Sequence, residues 1–487
     1  MEGKSLKYET VIGLEVHAQL KTKSKIFCGS DASFGANPNE HTCTIDLGLP
    51  GVLPVLNKKV VESSIKLGLA VGAKISENCR FARKHYFYPD LPKGYQISQY
   101  ESPICEGGEI SFLTRKNEEI IIRLTRIHME EDAGKLIHDD ESLKNVGSLV
   151  DFNRAGVPLL EIVSEPELRS PEDAELYARK LRTLVRYLDI CDGNMQEGSL
   201  RCDANISIRN LGEKSFGSKV EIKNVNSFRS LRKALEYEEL RQSELLDDNQ
   251  VILQETRLWD ESSGVTRNMR TKEYAHDYRY FPDPDLVPLE IDQGWIEEIK
   301  KTLPELPDAK RERFVNNYQL PDYDSEVLTS EIALADYFEK TVESFELKDV
   351  KLASNWIMGD ILGLLNERKI SIEECPITPD YLAEMIALII DGTISGKIAK
   401  EVFSEMAKSG KNAQKIVEEK GLRQISDLDS LEEIVTKILN ENTDEVREYK
   451  GGKHKLLGFF VGQVMKETQG KANPKTLQKI LEEQLSK

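Results

Sequence analysis

The run Ala204-Asn-Ile-Ser-Ile-Arg209 alternates strictly, with Ile206 and Ile208 on one face of an extended chain and Asn205, Ser207 and Arg209 on the other. Period-two spacing of this kind predicts a half-buried antiparallel strand, one face packed and the other able to hold a ligand. Upstream, from Glu197, the polar side gains Arg201 and Asp203, so the open row reads Arg, Asp, Asn, Ser. Arg supplies paired donors for phosphate and carboxylates supply metal ligands. A solvated outer sheet face has the same pattern.

Outward from this run, Thr10-Val-Ile-Gly-Leu-Glu-Val-His17, Glu119-Ile-Ile-Ile-Arg123 and Lys219-Val-Glu-Ile-Lys223 predict further strands. A helix is expected after Ser170, an N-cap followed by Pro171, with Tyr177, Leu181, Leu184 and Leu188 at helical spacing. Residues from Tyr8 to about Pro288 are therefore α+β. After Pro304-Glu-Leu-Pro307 the pattern becomes all-α. Thr378-Pro379 opens a helix with Leu382, Met385, Ile386 and Ile389 as its stripe, and Gly392 closes it; Ser395 opens the next, which ends near Gly410. A helical hairpin is the expectation there. Further helices follow from Gly421 and after Pro474. The expected divisions are 1–295, 296–410 and 411–487.

Three units fit 487 residues, because single domains cluster near ~100–200. The 39% hydrophobic and 31% charged composition is that of a folded globular chain. No apolar run approaches the ~20 residues of a membrane span, and Met1–Thr10 has no signal-peptide character. A net charge of -18 excludes a uniformly basic nucleic-acid binder but not a local basic surface. From Val446 onward nine Lys/Arg stand against four Glu, so the tail inverts the overall sign. Lysines on exposed helix faces are also ordinary solubilising surface. Seven thinly spread cysteines read as reduced thiols, and the expected location is cytoplasmic.

Glu15 and His17 lie at i and i+2, on one face of a predicted strand, where both can reach one cation. His128-Met-Glu-Glu-Asp132 adds a second acidic site, and Asp151-Phe-Asn-Arg154 leads to Glu161 as a third. Convergence of these groups would suit Mg²⁺, an oxygen-seeking ion that serves nucleotide phosphates; taken singly, each is equally a surface ion pair. Lys223 and Asp277-Tyr-Arg-Tyr-Phe-Pro-Asp283 suit a polyanion or plain loop packing. The chain has no Walker A loop, Rossmann fingerprint or H-E-x-x-H motif, and Gly392-Thr-Ile-Ser-Gly-Lys397 is one residue too short for a phosphate loop. Any ATP must therefore sit on a sheet with acidic ligands.

Taken together, Val11-Ile-Gly-Leu-Glu-Val-His17, Tyr86-Phe-Tyr-Pro-Asp90, Gln96-Ile-Ser-Gln99, Arg126 to Lys135, Val150 to Ser164, Glu197 to Asn205 and Asp277 to Asp283 resemble the successive blocks of the GatB family of aspartyl/glutamyl-tRNA amidotransferase subunits. Ser354-Asn-Trp356 and Gly458-Phe-Phe-Val-Gly-Gln463 extend the resemblance over essentially the whole chain. It implies a cradle domain with an antiparallel sheet related to the glutamine synthetase catalytic fold, then a helical domain and a tRNA-binding helical tail. It also implies that ATP phosphorylates the side-chain carboxylate of misacylated Glu-tRNA(Gln) or Asp-tRNA(Asn), and that ammonia then displaces the phosphate.

By that resemblance Glu15, His17, Glu130 and Glu161 hold Mg²⁺, with Glu131 competing with Glu130. Arg201, Asn205 and Lys223 contact the nucleotide or acyl phosphate, and Lys450, Lys453, Lys455 and Lys466 contact tRNA. No Ser-Ser-Lys amidase signature is present, so ammonia must come from a partner, which the resemblance names as GatA, with the small subunit GatC. Where the family carries a four-thiolate zinc pattern, this chain reads Cys28-Gly-Ser30 and Cys43-Thr-Ile-Asp46. With two thiolates missing, no structural zinc is expected. A stand-alone ligase using free ammonia and a non-catalytic tRNA-binding scaffold remain alternative readings.

Overall fold

The structure is a computed structural model that describes residues 7–137, 147–271, 275–424, 428–468, 472 and 474–486. It forms two compact units, Met1–Pro307 and Asp308–Lys487.

Seven strands of the first unit carry the polar groups considered below. They are β1 (Tyr8–Gln19), β2 (Glu119–Glu131), β3 (Pro158–Ser164), β4 (Leu200–Asn210), β5 (Val220–Lys223), β6 (Glu255–Asp260) and β7 (Val265–Thr271). Across the sheet they lie in the order β7-β6-β5-β4-β1-β3-β2, and the short strands Cys105–Glu106 and Lys74–Ile75 continue beyond β2. Glu109–Leu113 pairs with the first half of β2. The expected antiparallel sheet is in fact mixed, because β5 and β6 run parallel. Between them lies the helix Phe228–Asp247, and a helical crossover returns the chain in its original direction.

Alternation separates the two faces. Ile12, Leu14, Val16 and Ala18 of β1, Ile127 and Met129 of β2, Leu160 and Ile162 of β3, and Cys202, Ala204 and Ile206 of β4 belong to one buried core. Three helices supply the rest of it: α1 (Lys58–Ala70), α2 (Pro171–Tyr187) and α3 (Phe228–Asp247). Truncating one of these large aliphatic side chains to Ala would cost about 2–5 kcal/mol. The start of α2 follows the sequence, since Ser170 Oγ accepts from the Asp173 N–H at 3.0 Å and Pro171 occupies the first turn. Every apolar residue turned toward the helices sends its neighbours to the opposite face, where the site lies.

The second unit is helical. One apolar core runs from Phe314 to Val417 and another from Leu431 to Leu485. Thr378 caps Pro379–Ile390, Ser395 caps Gly396–Ser409, and Gly410 ends the latter in the left-handed region that glycine adopts without strain. Gly392–Lys397 is accordingly a turn running into a helix. The run after Gly421 includes residues 425–427, which lie outside the described residues, and is helical over Leu428–Glu441. Among the described residues no helix is long and apolar enough to cross a membrane.

Candidate functional site

Strand register assembles the site. His17 of β1 pairs with Arg201 of β4 on one side and Glu161 of β3 on the other, and Glu161 pairs with His128 of β2. One ladder row across four strands therefore reads Arg201, His17, Glu161, His128, with Glu130 two residues beyond His128 on the same face.

The side chains converge. His17 Nε2 lies 3.4 Å from Glu161 Oε2 and 3.7 Å from Glu130 Oε1. His128 Nε2 lies 3.4 Å from Glu161 Oε2 and 3.8 Å from Glu130 Oε2. Ser98 Oγ donates to Glu130 at 3.3 Å. One ligand atom each of His17, Glu130 and Glu161 fall within 4.8 Å of one another. Two carboxylates and an imidazole form a hard, mostly oxygen donor set of the kind a divalent cation takes. Burial works against charge on either imidazole, yet the neighbouring Glu161 and Glu130 carboxylates prevail: His17 is raised, and His128 is raised to about 9. Burial also pushes Glu161 toward its neutral form, but His128 and His17 outweigh it and hold the carboxyl well below its ordinary range.

Glu15 stands outside this trio, two residues back along β1, and accepts from Asn205 Nδ2 at 2.8 Å. Glu131 points to the opposite face, where Lys93 Nζ donates to it at 2.6 Å and the Ile97 N–H at 2.8 Å. Its competition with Glu130 is thereby decided: Glu131 is a fixed structural carboxylate. Arg201 forks onto Asp132 at 2.8 and 3.2 Å. Lys223 lies 2.7 Å from Asp203 and 3.2 Å from Glu221, whose charges overcome burial and raise its ammonium pKa. The three residues expected to meet phosphate are thus each held by a carboxylate or carboxamide contact on the same face. That face is not a solvated outer surface, because Asn205 and Ser207 are both buried.

Asp151 does not join the centre; its Oδ1 accepts from the Asn39 and Asn153 N–H groups. Arg154 donates to the Ala133 and Gly134 carbonyls and so pins the chain just past Asp132. His128, Asp132 and Asp203 are the members that local sequence reading leaves unassigned. For His128 the signal was present, since it stands at i−2 from Glu130 just as Glu15 stands to His17.

An aromatic wall borders the acidic centre. Tyr100 and Tyr280 stack with centroids 4.3 Å apart, the Arg126 guanidinium lies 5.6 Å over Tyr100, and Tyr86 meets Tyr278 edge-on at 6.2 Å. Burial, followed by the charge of Glu130, keeps the Tyr86 and Tyr280 phenols protonated.

Elsewhere in this unit Cys28, Cys43 and Asp46 approach within 4.8 Å. The fully buried Lys25 ammonium sits 3.2 Å from Asp46 and donates to the His41 carbonyl at 2.6 Å. The Cys28 thiol donates to Asp46 at 3.1 Å. In the helical unit Lys450, Lys453, Lys455 and Lys466 are all exposed, and Lys453 pairs with Glu448 at 3.1 Å.

Fold and site together define a class: an α+β protein that gathers two carboxylates and an imidazole on the polar face of a mixed sheet, flanked by anchored Arg and Lys. Residues 10–297 match the GatB/GatE catalytic domain and residues 336–485 the GatB domain, and the chain belongs to this family. It is 57% identical to the GatB subunit of the aspartyl/glutamyl-tRNA(Asn/Gln) amidotransferase of Thermodesulfovibrio yellowstonii, covering 98% of this chain and 99% of that protein. The subunit of the same name from Caldanaerobacter subterraneus is 55% identical over 99% of this chain and its own full length. That of Carboxydothermus hydrogenoformans is 54% identical over 99% of both.

Proposed function

We propose that this chain is the activating subunit of a tRNA-dependent amidotransferase. The side-chain carboxylate of Glu or Asp carried on tRNA(Gln) or tRNA(Asn) attacks the γ-phosphorus of ATP, releasing ADP and leaving an acyl phosphate. Ammonia then forms the C–N bond at the acyl carbon, its surplus proton leaves with inorganic phosphate, and the amide remains on the tRNA. The observation that carries this reading is the convergence of His17, Glu130 and Glu161 beside Arg201 and Lys223 on one sheet face.

A carboxylate is a poor electrophile, and bringing it to a triphosphate crowds negative oxygens together. The donor set suits Mg²⁺, which when bound by His17, Glu130 and Glu161, with Glu15 as the fourth member of the set, would neutralise that charge. The chain's own groups do the rest. Arg201 is oriented by Asp132 and Lys223 by Asp203, so both cations stand pre-aimed along the face. His128 and His17 fix the direction of the Glu161 carboxylate, and Asn205 fixes that of Glu15. Preorganised charge of this kind costs no reorientation when the phosphoryl group moves.

The remaining parts rest on the relatives. Their subunit name supports assembly with an amidase subunit, GatA, and a small subunit, GatC, which would supply ammonia. Residues 1–295 would act as a cradle of glutamine synthetase type and 296–410 as a helical domain. Residues 411–487 would be a tail whose Lys450, Lys453, Lys455 and Lys466 meet tRNA phosphates, all in the cytoplasm. The direct test is release of labelled ADP from ATP by the assembled complex with Glu-tRNA(Gln) or Asp-tRNA(Asn). Release that requires aminoacylated tRNA is the expected result; none with either substrate would overturn the reading.

A further inference from the structure

Next to the acidic centre, on the same face of β1 and β4, lies a cavity of about 250 Å³ that begins at Glu15 and Asn205. Gly13 forms its floor, Val163 and Pro166 one wall, Ser207 the other, and Phe216 and Lys219 the mouth. The volume falls below the ~300–1,000 Å³ that complete small-molecule sites occupy, so it suits one flat ring and not a whole nucleotide.

Two glycines build it. A Cβ on Gly13 would meet nothing closer than Pro166 at 3.5 Å, so packing does not demand glycine there. What the missing side chain does is keep the cavity open. A Cβ on Gly217 would stand 2.1 Å from the Ile208 carbonyl oxygen. Glycine at 217 therefore lets residues 211–219 lie down against β4 and brings Phe216 and Lys219 over the cavity. Phe216 is 62% exposed, with the Arg209 guanidinium 5.6 Å from its ring centroid. The mouth thus offers an aromatic face and two cations.

The cavity also lies at a telling distance. Gly13 and His17 are four residues apart on one strand, about 13 Å at ~3.3 Å per residue. A ribose and triphosphate span such a gap when the terminal phosphate meets the His17, Glu130 and Glu161 cluster. We propose that the Gly13 cavity receives the adenine ring of ATP, with Phe216 against the ring and the phosphates running along β1 past Glu15. This rests on the function proposed above. That reaction brings in a second adenine, the terminal nucleotide of the tRNA. An open platform such as Tyr100 and Tyr280 suits the end of a large molecule, whereas a small walled cavity suits a ligand that diffuses in whole.

The test compares Gly13→Leu, which fills the cavity, with Gly13→Ala, which only touches Pro166, in the assembled complex. Binding of AMP-PNP is expected to weaken at least about tenfold for Leu and about twofold or less for Ala, with Mn²⁺ binding unchanged in both. Should Gly13→Leu fail to fold, Phe216→Ala at its exposed position is expected to weaken AMP-PNP about threefold. Photolabelling with 8-azido-ATP should mark peptides containing residues 11–15 or 205–219 and be blocked by ATP. ATP-protected label on Tyr100 or Tyr280, with unchanged AMP-PNP binding to the folded variants, would overturn the cavity assignment and leave the proposed function standing. Absence of any ATP-protected label, with no AMP-PNP binding to the unaltered complex, would overturn both.

Discussion

His17 and His128 reach Glu161 from the two strands that flank it, and each places Nε2 3.4 Å from the same carboxylate oxygen, Oε2. A buried carboxylate would ordinarily favour its neutral form, but two imidazoles on one oxygen reverse that preference. Glu161 is thereby a fixed anion at neutral pH.

Replacing Glu161 with Gln keeps the shape and removes the charge. ATP cleavage that depends on aminoacylated tRNA should fall about 10²–10³-fold, the usual cost of deleting one preorganised electrostatic group. The thermal midpoint should move little, because the side chain lies on the polar face away from the apolar core. Unchanged cleavage by a folded Glu161→Gln complex would remove this residue from the site.

Acid sensitivity should trace to Glu238 on α3. Its side chain is fully buried, and its carboxylate accepts from Arg241 at 2.9 and 2.8 Å and from Gln242 at 3.1 Å, with Arg257 at 3.1 Å and the Thr266 hydroxyl also in contact. Burial raises the carboxyl pKa, but these partners outweigh it and lower the pKa below its ordinary value. Because the folded value is depressed, the stabilisation is present above the unfolded value of ~4.3 and is lost as pH falls through the folded one. Urea midpoints measured from pH 6 to pH 3 should fall with acid, and fall less steeply in Glu238→Gln, which starts from lower stability. Parallel slopes in the two proteins would assign the acid sensitivity elsewhere.

Much of the first unit was readable from alternation. The β4 pattern and the Glu15/His17 spacing each determine a face, and period two also places His128 with Glu130 and turns Glu131 away. Local pattern carries nothing about which strands become neighbours. β1 meets β3 about 145 residues later in the chain, and only that register puts Glu161 beside His17 while leaving Glu15 to Asn205. Arg201 reads as a phosphate ligand in its own strand, and its partner Asp132 enters from another. The parallel β5/β6 pair was equally hidden, because a helical crossover reverses the expectation set by short turns.

The Cys28 loop should hold no stoichiometric zinc. Zinc needs thiolates, and burial, with further help from Asp46, pushes the Cys28 thiol up to about 12. The buried Lys25 ammonium already occupies the cationic position beside Asp46. Elemental analysis of the purified protein should find zinc far below one per chain, and a chelator should leave the melting curve unmoved. Lys25→Met, which leaves the buried Asp46 unpaired, should cost about 3–5 kcal/mol. A stoichiometric zinc ion lost together with stability on chelation would reverse this account.

The basic tail is testable through salt. Each phosphate neutralised by a lysine contributes about 0.7–0.9 to the slope of log affinity against log salt. Lys450, Lys455 and Lys466 are exposed, whereas Lys453 is already engaged by Glu448, so it has less charge to offer. Replacing all four with Gln should therefore flatten the slope for aminoacyl-tRNA by about 2–3, not by the full four-contact value. AMP-PNP affinity should stay unchanged, because the nucleotide groups belong to the sheet of the first unit. An unaltered slope would move the RNA contact off this tail, and a loss confined to Lys453→Gln would show that Glu448 releases it on binding.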